Sequence, residues 1–133
     1  MGMIKYHKRL KQLYDFEGMG KGKISPTDID AVLEFGNKFL FLFEFKLEGK
    51  ENDIGKKIAL ERIADSWNKK SNDSLAMVIY CTHNIPAEET VYCNKDLTVV
   101  LTYFNSKYID ETSSLKDYLS RIGDFYNIPS LMS

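Results

Sequence analysis

Apolar residues run almost unbroken through Phe39-Leu-Phe-Leu-Phe43, and a shorter run, Ala31-Val-Leu-Glu-Phe35, precedes it. Gly36-Asn37 with Lys38 stands between them, a turn signal that predicts a β-hairpin. The loop length sets the register. A three-residue loop pairs Phe35 with Phe39, which puts Asp30 opposite Glu44 and Asp28 opposite Lys46. Side chains alternate faces along a strand, so these four charges then share a face with Val32, Leu40 and Leu42. Ala31, Leu33, Phe35, Phe39, Phe41, Phe43 and Phe45 occupy the other face. A two-residue loop would separate Asp30 from Glu44. The three-residue loop is preferred because it sorts charges and aromatics onto different faces.

Other elements follow from periodicity. Gly55 to Trp67 reads as a helix, with Lys56, Leu60, Ile63 and Trp67 on one stripe beside Ala59 and Ala64. Lys69 to Ser74 is a polar turn. Ser74 to Thr82 is a continuously apolar strand of the kind found centrally after a helix. Asn84 to Glu89 reads as a loop. Two further strands are predicted, Thr90 to Asn94 and Asp96 to Phe104. Ser113 to Tyr126 closes the chain as a helix capped by Ser113 or Ser114, with Leu115, Leu119, Ile122 and Phe125 on its apolar face. Near the start, Ile4 to about Phe16 reads as a helix, and Gly18-Met-Gly-Lys-Gly22 as a connector without Walker spacing. The pattern is that of an α/β domain.

Charge at the end of so apolar a strand is the chemical signal. Burying Glu44 and Lys46 is costly unless a partner or a metal compensates. Two carboxylates and a lysine converging there have the makings of a metal site that cuts a phosphodiester.

Pro26-Thr27-Asp28-Ile29-Asp30, the hairpin, and Glu44-Phe45-Lys46 together resemble the PD-(D/E)xK nuclease superfamily. The resemblance covers roughly Ser25 to His83. It implies a restriction-endonuclease-like fold, a mixed central sheet flanked by helices. It implies a DNA endonuclease of the small phage or replication-repair type, using Mg²⁺ with Mn²⁺ able to substitute. Carried over residue by residue, it implies metal ligation by Asp30, Glu44 and the Phe45 carbonyl, and water activation by Lys46. Its products would carry 5′-phosphates. Where many members have Gly-Gln, this chain has Gly55-Lys56. Lys56 then either contacts a substrate phosphate or snorkels to solvent. Asp28 is the alternative to Asp30 as ligand, or a charge partner of Lys46. Glu17 is a further carboxylate of the kind some members take from an N-terminal helix, although an exposed helix-end glutamate is the default.

Composition narrows the picture. The 133 residues suit one domain spanning the chain, and 44% hydrophobic with 13% aromatic content supports a core. A net charge of −1 argues against nucleic-acid binding by bulk charge. A local basic run exists at Lys5, His7, Lys8, Arg9 and Lys11, then Lys21 and Lys23, for which a solvated face is the simpler reading. No apolar run is long enough for a signal peptide or membrane span, so no membrane is expected and a cytoplasmic location is. Cys81 and Cys93 fit a reducing compartment, and with His83 they fall one ligand short of a zinc site. So small a domain offers little surface to grip DNA, so a homodimer or a larger protein partner is expected. The competing reading is a catalytically silent nuclease-fold module that binds DNA or protein.

Overall fold

The computed structural model describes residues 29–51, 53–129 and 131. The first helix, the glycine connector, the basic run, Glu17 and Asp28 lie outside them. The described chain is α/β. It runs β1 (Ala31–Phe35), β2 (Phe39–Leu47), α1 (Ile54–Asn68), β3 (Leu75–His83), β4 (Thr98–Phe104), β5 (Lys107–Ser114) and α2 (Leu115–Tyr126). The five strands form one mixed sheet in the order β1-β2-β3-β4-β5. β2 and β3 are parallel and joined by α1, while every other neighbouring pair is antiparallel.

The hairpin has the three-residue loop. Phe35 pairs with Phe39, and the ladder runs back to Ala31 opposite Phe43. Gly36 and Asn37 both take positive φ, 62° and 58°, a region in which glycine and asparagine are the least penalised. Glu34 accepts from the Asn37 N–H at 2.6 Å and so fixes the turn.

β2 is apolar along most of its length because helices cover both its faces. Leu40 and Leu42 pack with Leu60, Ala64, Val78 and Tyr80 under α1. Phe39, Phe41 and Phe43 pack with Ile79, Leu115 and Leu119 under α2. Asp53 caps α1 by accepting from the Lys56 N–H. At the other end of α1 the Asn68 amide bonds both the N–H and the carbonyl of Ala76, and Trp67 donates to the Lys38 carbonyl. The helix is thus held to the sheet at its C-terminal end by polar contacts.

Three expectations need correction. Thr90–Asn94 is not a strand: Tyr92 donates to the Asp96 carboxylate, and its carbonyl accepts from Lys95 and Asp96. Those local bonds satisfy the backbone in a turn, and β4 begins only at Thr98. An edge strand, β5, was not anticipated. It follows the two-residue turn Asn105-Ser106, whose φ values of 50° and 64° suit a hairpin of the primed type. Two stripe residues are also turned out. Ile63 is 42% exposed, and Glu61 is buried instead. Phe125 is 79% exposed, and Tyr126 takes its place against Phe39. Ser114 is the cap of α2, accepting from the Asp117 N–H.

Candidate active site

The site lies where β2 leaves the core. Glu44 is the last fully buried residue of that strand and pairs with Tyr80 of β3. The side chain of Glu44 is 8% exposed. Asp30 lies one residue before β1, on the continuation of the hairpin register. Its Oδ2 accepts from the Phe45 N–H at 2.7 Å, which ties the carboxylate to β2. Lys46, two residues beyond Glu44, shares its face and donates to the Glu51 carbonyl at 2.7 Å.

Lys56 comes from the first turn of α1. Its ammonium is 2.8 Å from Glu44 Oε2 and 3.9 Å from Asp30 Oδ1. Its side chain is 16% exposed, so it turns into the site rather than out to solvent. Glu44 Oε2 is a buried oxygen whose near cation is the Lys56 ammonium. Burial raises the Glu44 pKa above the ordinary carboxylate value, and Asp30 adds to the rise. Lys56 and Lys46 oppose it.

A groove of about 520 Å³ opens beside these residues at the C-terminal ends of β2 and β3. Glu44, Phe45, Lys46, Lys50, His83 and Val91 line it. In α/β sheets ligands bind in the crevice at such strand ends. A cavity of about 630 Å³ lies at the opposite ends of these strands, and Asp73 is its one carboxylate.

The donor set can be tested against a divalent cation. Among the described residues no group of three or more His, Cys, Asp or Glu could hold a metal. Mg²⁺ needs fewer from the protein, typically one or two carboxylates, and keeps several waters. Asp30 and Glu44 meet that requirement, since one ammonium already lies close to both. The buried Glu44 oxygen is of the hard type Mg²⁺ takes. Cys81 is buried and Cys93 exposed, and both are free thiols. Burial pushes Cys81 up to about 12, so it is a core thiol at neutral pH.

One buried acid escaped the sequence reading. Glu61 of α1 accepts from Tyr80 at 2.6 Å and from Tyr108 at 2.5 Å. Its bond raises Tyr108 to about 12, and burial with Glu61 raises Tyr80 as well. Lys57 lies over the Tyr108 ring at 4.4 Å. A tyrosine in a central strand needs a partner for its hydroxyl, and Tyr80 was the signal available. The arrangement sets the rotation of α1, and hence where Lys56 points. Glu61→Gln is expected to lower stability by about 1–2 kcal/mol, because an amide is a weaker acceptor for two hydroxyls. Urea denaturation of the purified variant checks this.

No family model, curated protein or solved structure matches the chain. No helix among the described residues is long and apolar enough to cross a membrane.

Proposed function

We propose that this chain is a Mg²⁺-dependent DNA endonuclease with a restriction-endonuclease-like core. The observation that carries the reading is the approach of Asp30 and Glu44 to a single cation, Lys56, beside a groove at the strand ends. Their hairpin leads directly into α1 and the parallel β3, an order compatible with the fold that the Glu44-Phe45-Lys46 resemblance implies. When bound, Mg²⁺ supplies a Lewis acid that lowers the pKa of its water and neutralises phosphate charge.

The chain's own residues do the rest. Asp30, held by the Phe45 N–H, and Glu44, held by burial, would hold the metal, with the Phe45 carbonyl as a third ligand. Lys46 sits at the groove's edge. It exchanges the Glu51 carbonyl for the attacking water, orients it, and offsets the charge growing on the phosphoryl oxygens. Lys50 and His83 line the same groove, and there they would meet the DNA backbone. A homodimer or a larger partner supplies the remaining grip.

A second reading is favoured by the Lys56 contact. Lys56 permanently neutralising both carboxylates gives a silent nuclease-fold module that binds DNA or protein. Incubating plasmid, single-stranded and branched DNA with Mg²⁺, Mn²⁺ or EDTA separates the two. Endonuclease activity predicts cleavage with either metal and none with EDTA. DNA binding without cleavage under any condition would establish the silent module. Lys46→Ala is expected to slow cleavage by about 10²–10³-fold while leaving metal affinity unchanged. Single-turnover rates with calorimetric metal titration check it.

A further inference from the structure

The ammonium of Lys56 lies against both carboxylates proposed to hold a divalent cation. It lies 2.8 Å from Glu44 Oε2 and 3.9 Å from Asp30 Oδ1. Magnesium binds carboxylate oxygens at about 2.0–2.1 Å, so two cations would crowd one oxygen. Like charges at that range repel strongly in a partly buried site. Glu44 Oε2, moreover, is buried, and the Lys56 ammonium is the cation beside it. An ammonium that supplies the positive charge there is a stand-in for a metal cation.

We propose that Lys56 is a built-in competitor for the metal, a tethered cation that must leave Glu44 before a divalent ion is held there. The inference rests on the proposed metal site and adds a regulatory layer to it. Lys56 has the means to leave. It sits in the first turn of α1, on a flexible four-carbon stem beside Glu44, which lines the groove. A substrate phosphate arriving in the groove gives the displaced ammonium a new partner. Metal and DNA then favour each other's binding, and linkage makes that preference reciprocal. The resting protein binds metal weakly, and the complete site forms only with substrate.

The probe is Ca²⁺, which takes oxygen ligands like Mg²⁺ with looser geometry. Isothermal titration would compare the parent protein, Lys56→Gln, Lys57→Gln and Glu44→Gln without DNA. Lys56→Gln is expected to bind Ca²⁺ about tenfold tighter, within the usual range of coupling between two ligands. Lys57 lies over Tyr108 and Tyr80 rather than between the carboxylates, so Lys57→Gln should change affinity far less. That contrast separates displacement from a general loss of positive charge. Lys56→Gln should also melt lower than the parent without Ca²⁺ and gain more on its addition.

Unchanged affinity in Lys56→Gln, with parental binding that Glu44→Gln abolishes, overturns the competitor and leaves the metal site standing. Absence of binding in parent and Lys56→Gln alike overturns both. Lys56→Arg covers failure of the first variant to fold. A guanidinium grips a carboxylate in two-point fashion and is harder to displace, so Ca²⁺ should bind several-fold more weakly. Binding equal to or tighter than the parent overturns the proposal.

Discussion

Replacing Glu44 with alanine is expected to lower the proposed Mg²⁺-dependent DNA cleavage by about a thousandfold or more, because no other described carboxylate replaces it beside Asp30. The fold should survive. Glu44 lies at the rim of the core, and its burial as an anion is itself unfavourable, as its raised pKa records. Removing it leaves Lys56 near Asp30. Circular dichroism should match the parent, and Ca²⁺ binding should vanish. Parental cleavage by purified Glu44→Ala would move the active site elsewhere or identify a contaminating nuclease.

Leu60→Ala should produce the largest loss of stability tied to the site, about 2–5 kcal/mol. Leu60 is fully buried among Leu40, Leu42, Val78 and Ala64, where α1 crosses the sheet. The cavity left there cannot close easily. Asn68 and Trp67 pin one end of the helix, and the Glu61–tyrosine bonds pin its middle. Cleavage at low temperature should fall less than stability does, since neither carboxylate is carried by α1. Urea denaturation gives the loss, and a shift under 1 kcal/mol would contradict the packing of this helix.

The hairpin was legible because two local signals agreed. Gly36-Asn37-Lys38 set the loop, and the sorting of aromatics from charges fixed which residues share a face. The position of Asp30 beside Glu44 followed from that register. β3 was legible from its unbroken apolar run, and the cap of α2 as Ser113 or Ser114 from its place before an amphipathic segment. β5 was not. Lys-Tyr-Ile-Asp-Glu-Thr-Ser-Ser has no apolar alternation, because it is an edge strand largely open to water. Its one signal was Asn105-Ser106 after the apolar Thr98–Phe104. Helix rotation was the second blind spot. Hydrophobicity favours Ile63 over Glu61 for the sheet side. Two tyrosine hydroxyls from distant strands reverse the choice by satisfying the buried carboxylate. Contacts of that kind connect residues 19 and 47 positions apart, which no local window reveals. The Lys56 contact is similar: its place on the inward stripe was readable, but its pairing with Glu44 and Asp30 depended on how the helix sits.

The proposed shared cation site of Asp30 and Glu44 is best tested by anomalous diffraction from crystals grown with Mn²⁺ and a short DNA duplex. The account predicts one strong manganese peak within about 2.2 Å of an oxygen from each carboxylate, the distance expected for hard oxygen ligands. Lys56 should have left Glu44 for a phosphate oxygen. A map with no peak there, and Lys56 still resting on Glu44, would contradict it.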